Sequence, residues 1–134
     1  MNPAERIDRY ASQAADQILA NMEANPKVGI TIGDIPTYFR YNRIVVAWNE
    51  ALISPEMNKL WQRMGATKNI DFKNLNTFVM SYGTFVWFKY DALKPLFDLN
   101  LTVSDVPAEP LPQNSILHAI ERLLVYIAWD QNMT

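Results

Sequence analysis

The residues best suited to acid–base chemistry in this sequence lie near its C-terminal end. His118, the single histidine, is followed by Glu121 and Arg122, and side chains three or four residues apart on a helix are neighbours. A histidine paired with a carboxylate can act as a general base when a pocket brings it to a substrate. A solvent-facing histidine in a helical salt-bridge pattern is much the commoner arrangement, so we predict no catalytic residue here.

A second group of residues mixes aromatic and basic side chains. Tyr38, Phe39 and Arg40 stand together in TYFRYNR, residues 37–43, and aromatic stacking with arginine–phosphate contacts is how single-stranded nucleic acids are held. The formal net charge of −2 and the pI of about 5.3 differ from the basic footprint of a dedicated nucleic-acid-binding protein. We therefore predict these three residues to be a contact patch for a partner protein and keep weak nucleic-acid binding as a further alternative.

Several kinds of chemistry find no support in the sequence. It contains no cysteine, which excludes disulfides, thiol nucleophiles and thiolate metal sites. It also has no glycine-rich phosphate loop, no Gly-x-Ser-x-Gly elbow and no pair of histidines at metal-binding spacing. We predict a non-enzymatic protein with no catalytic residues, no metal site and no cofactor.

The stretch SYGTFVWFKY, residues 81–90, carries five aromatic side chains in ten positions. A helix over residues 74–90 would place Phe78, Tyr82 and Phe85 on one buried face. A strand would instead have two apolar faces, so either structure must be covered on more than one side. The 15 uncharged residues between Lys73 and Lys89 are too few to span a bilayer.

The aromatic residues outside the buried face of that helix are candidates for contact with another molecule. Trp87, Phe88 and Tyr90 are the predicted partner-binding residues, because aromatic side chains are enriched at the centres of protein interfaces. Phe78, Tyr82 and Phe85 are assigned to the core. The sequence leaves open whether the segment is fully buried or forms an interface.

Apolar periodicity and capping residues predict the helices that must position these groups. The predicted helices cover residues 3–23, 34–53, 54–64, 74–90, 91–97 and 114 or 115–130. Residues 27–33 are either a short strand or an extended connection, and we favour the connection. The three prolines in residues 102–114 predict an extended connection there.

These elements predict an all-α bundle of five or six helices in one domain, residues 1–134, with residues 102–114 as a proline-rich connection inside it. A chain of this length with 49% hydrophobic residues can bury one core. The N-terminal sequence MNPAERIDRY carries charges where a signal peptide is apolar, so we do not expect secretion by that route. We expect a cytoplasmic or virion location and no transmembrane segment.

The charge distribution suggests how copies of the chain could associate. Residues 35–73 carry six basic and three acidic side chains, whereas residues 91–134 carry two basic and six acidic ones. Head-to-tail contacts between these regions would weaken with salt. We interpret the chain as a protein–protein interaction or assembly protein, a homo-oligomer or a subunit of a larger assembly, such as a phage or mobile-element virion component. The alternative is a small inhibitor of a host protein.

Overall fold

The computed structural model of the chain describes residues 2–33, 43–75 and 79–134, and these residues are mostly helical. They contain four α-helices: α1, Pro3–Ala24; α2, Arg43–Arg63; α3, Tyr90–Phe97; and α4, Ile116–Asp130. They also contain two strands, β1, Ile30–Ile32, and β2, Val86–Phe88. The prediction of a mainly helical chain is confirmed, but five or six helices and an all-α class are wrong for this part of the chain.

The core lies where α2 packs against α4. Ile53 and Met57 on α2, and Leu123 and Ile127 on α4, are fully buried, and each pair is four residues apart, so both members face the same side of their helix. Leu93 of α3 joins the same cluster. Ser115 caps the N-terminus of α4 through its hydroxyl, which confirms the predicted start of that helix.

Helix α2 differs from the prediction because it continues through Pro55. A proline inside a helix removes the hydrogen bond to the carbonyl four residues earlier, here that of Ala51, an exposed residue that water can reach. Ile53 and Met57 flank the proline and are completely buried. Burial of the Ile53 and Met57 side chains on one continuous helix outweighs the tendency of Pro55 to start a new helix. The predicted separate helix over 54–64 is therefore part of α2.

The predicted helix over residues 74–90 is wrong for residues 74, 75 and 79–89. Residues 86–88 form β2, which pairs antiparallel with β1 in the register Ile30 to Phe88, Thr31 to Trp87 and Ile32 to Val86. Before β2, Gly83 has φ of +68° and Thr84 has φ of +59°, which no right-handed helix accommodates. The favoured connection over 27–33 is accordingly corrected to a short strand at residues 30–32.

Helix α1 has the predicted boundaries to within a residue, but its apolar stripe is only partly covered. Met22 is buried, Ile18 is half-buried and Leu19 is 45% exposed. The start of the predicted helix at residue 34 lies outside the described residues, as do Tyr38, Phe39, Arg40 and Phe78.

The connections between the helices are held by polar contacts. Asp130 at the end of α4 accepts hydrogen bonds from the backbone N–H of Thr67 at 3.0 Å and of Lys68 at 2.7 Å. The proline-rich connection contains a 3-10 turn, Val103–Asp105, and no longer helix. Among the described residues no helix is both long enough and apolar enough to cross a bilayer.

Candidate functional site

A groove of about 430 Å³ runs between α1 and the two-stranded sheet. We call it the aromatic groove, and it is lined by Ile18, Thr31, Ile32, Gly33, Thr84, Phe85, Val86 and Trp87. Phe85 is 78% exposed and Trp87 is 41% exposed. Because side chains two residues apart point to the same side of an extended segment, these two rings present one continuous apolar surface to solvent.

The turn before β2 sets the position of Phe85. Thr84 donates its backbone N–H to the Ser81 carbonyl at 2.9 Å, which closes a four-residue turn over residues 81–84. A Cβ atom added to Gly83 would lie only 2.9 Å from the ring of Phe85. The ring therefore rests against the glycine, and the positive φ of Gly83 favours glycine at this position.

Helix α4 anchors this turn through Glu121. The Ser81 hydroxyl donates to the Glu121 carbonyl at 3.0 Å, and the Gly83 backbone N–H donates to the Glu121 carboxylate at 2.6 Å. Ser81 is completely buried. His118, which the sequence could have paired with Glu121, is half-buried and lies 2.8 Å from the Ser115 hydroxyl through its Nδ1.

Behind Glu121 lies an ion-pair network that the sequence did not predict. Arg122 donates from Nε to Glu50 at 2.7 Å and from a terminal nitrogen to Glu121 at 3.3 Å. Arg122 is only 6% exposed. Because Glu50 and Arg122 are 72 positions apart in the chain, no local spacing in the sequence could have indicated their contact.

The Glu50 carboxyl is electrostatically unusual. Burial raises the pKa of Glu50, although the positive charge and hydrogen bond of Arg122 oppose the shift. Its second oxygen, Oε2, is buried and receives no hydrogen bond from any residue that the structure describes. Burial, followed by the charge of Glu50, also raises the pKa of the half-buried Tyr82.

The structure divides Trp87, Phe88 and Tyr90, the predicted contact residues that it describes, between two surfaces. Trp87 lines the aromatic groove, whereas Phe88 and Tyr90 contact Phe97, at 5.8 Å and 5.4 Å between ring centroids. Tyr90 and Phe97 stack almost parallel because they lie seven residues, or two turns, apart on α3. That spacing was visible in the sequence, which could have indicated Phe97.

The core assignment of the aromatic segment is also corrected. Phe85 is highly exposed and belongs to the groove, and Tyr82 is only half-buried. Met80 of the same segment is instead buried, at 5% exposed. The error follows from applying a helical period of 3.6 to a segment made of a turn and a strand.

A family model described as rhamnan synthesis protein F matches residues 4–133. The chain belongs to the rhamnan synthesis protein F family. This is a family of bacterial cell-wall polysaccharide synthesis. Neither a curated protein nor a solved structure gives a significant match.

Membership of the rhamnan synthesis protein F family overturns the functional interpretation of the sequence. A role as a protein-interaction or virion assembly protein is wrong, as are the inhibitor and nucleic-acid-binding alternatives and the virion location. Those hypotheses came from composition and from the lack of short catalytic motifs. The family match extends over nearly the whole chain, a signal that no short motif carries.

Proposed function

We propose that this chain binds a rhamnose-containing saccharide during rhamnan synthesis, and that the aromatic groove is the binding surface. The observation that carries the proposal is the pair of exposed rings, Phe85 and Trp87, in a groove of about 430 Å³. That volume falls within the roughly 300–1,000 Å³ of small-molecule sites.

The chemistry of rhamnose matches the groove wall. Rhamnose is a 6-deoxyhexose, so it carries a methyl group and an apolar C–H face beside its hydroxyls. The C–H face and methyl group can pack on the rings of Trp87 and Phe85, which offer large rigid apolar surfaces. The hydroxyl groups of Thr31 and Thr84, both in the lining, can donate to and accept from sugar hydroxyls.

The proposed role is binding rather than catalysis. The described lining of the groove consists of apolar side chains, two threonine hydroxyls and a glycine, which position a ligand but do not transfer protons at neutral pH. The groups with titratable chemistry, Glu50 and Glu121, lie behind the turn and support it.

Calorimetric titration with rhamnose oligosaccharides tests this function. We expect Trp87→Ala to weaken binding about tenfold or more, equivalent to about 1.4 kcal/mol, because the largest ring of the groove is removed. Trp129→Ala is the matched control. Trp129 of α4 is similarly exposed, at 49%, but its ring lies beside the ammonium group of Lys68 and not in the groove. Equal affinity of the wild type and Trp87→Ala, with both folded by circular dichroism, would refute the assignment of the groove.

A further inference from the structure

The turn that forms one wall of the aromatic groove has a costly backbone conformation. Gly83 and Thr84 both have positive φ. A left-handed conformation is ordinary for glycine but rare for a β-branched residue such as threonine, and costs of order 1–3 kcal/mol unless other contacts hold it. Interactions from outside the turn must therefore stabilise it.

Glu121 supplies two of those interactions from α4. Its carbonyl accepts from the Ser81 hydroxyl at 3.0 Å, and its Oε1 accepts from the Gly83 backbone N–H at 2.6 Å. A hydrogen bond to an ionised carboxylate is about twice as strong as one between neutral groups. The carboxylate therefore holds Gly83, the residue directly before the strained Thr84.

The orientation of this carboxylate is itself fixed. Oε2 of Glu121 lies 3.3 Å from a terminal nitrogen of Arg122, which also donates to the His118 carbonyl at 3.1 Å. The Nε of Arg122 is 2.7 Å from Glu50 on α2. One oxygen of Glu121 therefore faces the turn and the other faces a buried guanidinium that is braced against a second helix.

From this chain of contacts we propose that Glu121 is a positioning residue for saccharide binding. It holds the turn over residues 81–84 so that Thr84 and Phe85 form a wall of the aromatic groove, while Arg122 and Glu50 hold Glu121. This inference rests on the proposed function for its effect on affinity, and on the contacts of the turn for its structural part. Glu121 itself does not line the groove.

The test compares Glu121→Ala with Glu121→Gln in the full chain, by calorimetry with a rhamnose oligosaccharide. We expect Glu121→Ala to weaken binding about tenfold, as loss of a charge-assisted hydrogen bond implies. Glu121→Gln should restore much of the affinity, because its amide oxygen can still accept from Gly83. Glu56→Ala, which removes an acidic side chain paired with Lys59 on α2, is the control and should bind like the wild type.

Nuclear magnetic resonance separates this inference from the proposed function. In Glu121→Ala the amide signal of Gly83 and the ring signals of Phe85 should shift with no saccharide present, while those of α3 remain. If Trp87→Ala abolishes binding and Glu121→Ala does not alter it, positioning by Glu121 is refuted and the proposed function stands. If the wild type binds no saccharide, the proposed function fails, and unchanged Gly83 and Phe85 signals would refute the positioning separately.

Discussion

Arg122 is a buried charged residue that links two helices. It is 6% exposed and joins Glu50 of α2 to Glu121 of α4. A buried ion pair adds little net stability, because both charges lose their hydration. Removing one partner is nevertheless costly, because the other charge is then left buried and unpaired. The pair therefore connects two helices at a defined position more than it stabilises them.

Truncation of Arg122 should be severe for that reason. We expect Arg122→Ala to lower the free energy of unfolding by about 3–5 kcal/mol, since Glu50 and Glu121 would lose their counter-charge. Combining Arg122→Met with Glu50→Gln should recover part of the loss, because no buried charge pair remains to be broken. Urea denaturation measures the free energy of unfolding of the single and the double variant. A loss as small as that of Lys94→Met, at an exposed ion pair worth about 0–1 kcal/mol, would contradict this account of Arg122.

Asp130 gives the chain a predictable response to acid. Burial acts to raise the pKa of this carboxyl, but hydrogen bonds from Lys68 and Thr67 outweigh burial and hold the pKa below its usual value. A lowered pKa in the folded state means that the stabilisation is present above the unfolded pKa of about 3.9 and is lost as pH falls through the folded value.

Replacement of Asp130 tests whether this stabilisation is lost at low pH. At pH 7 we expect Asp130→Asn to reduce the free energy of unfolding by about 1–3 kcal/mol, and the difference from the wild type should shrink below about pH 4 as Asp130 is protonated. Denaturant titrations from pH 3 to pH 7 measure it, with Asp98→Asn at an exposed ion pair as the control. A difference that stays constant over this range would contradict the role of the carboxylate.

At the scale of elements, packing of α2 on α4 carries the core, and the two sides of α4 differ sharply. Leu123 is completely buried, whereas Leu117 on the same helix is 41% exposed. We expect Leu123→Ala to destabilise the chain by about 2–5 kcal/mol and Leu117→Ala by much less, about 0.5 kcal/mol. Thermal and urea unfolding of the two variants compare the same substitution at two positions of one helix, and equal losses would contradict the packing described.

Elements with strong local signals could be predicted from the sequence. Helices α1, α3 and α4 begin at a proline, an acidic first turn and a serine cap respectively, and their apolar residues recur with a helical period. The helix start predicted at Pro55 was wrong because burial of Ile53 and Met57, on either side of the proline, favours one continuous helix. The helix predicted over residues 81–88 was wrong because the strand in this segment depends on pairing with β1, more than 50 positions earlier in the chain.

The candidate site was only partly predictable for the same reason. Trp87 was predicted as a contact residue, for a protein partner, because an aromatic side chain is conspicuous in any segment. The groove itself requires α1, β1 and the turn at Gly83 to come together, and the support from Glu121 crosses 38 positions of the chain. No periodicity within a short window contains such contacts.

For the whole molecule, association between copies of the chain stays a prediction. We expect light scattering at low salt to give a multiple of 15.4 kDa, because the basic middle of the chain can face the acidic C-terminal third of a second copy. The mass should fall in high salt, which screens these charges. It should also fall in Tyr90→Ser, because Tyr90 is a predicted contact residue and is 58% exposed. Val103→Ser, at a side chain 89% exposed, is the control. A monomer at every salt concentration would contradict self-association.

The central claim is that the aromatic groove binds a rhamnose-containing saccharide. Its most direct test is to map amide shifts by nuclear magnetic resonance while a rhamnose oligosaccharide is added to the labelled chain. The account predicts shifts at Thr31 and over residues 84–87, and their loss in Trp87→Ala. Shifts confined to the polar pocket of about 450 Å³ beside Gln62 and Asn69, with residues 84–87 unmoved, would contradict it.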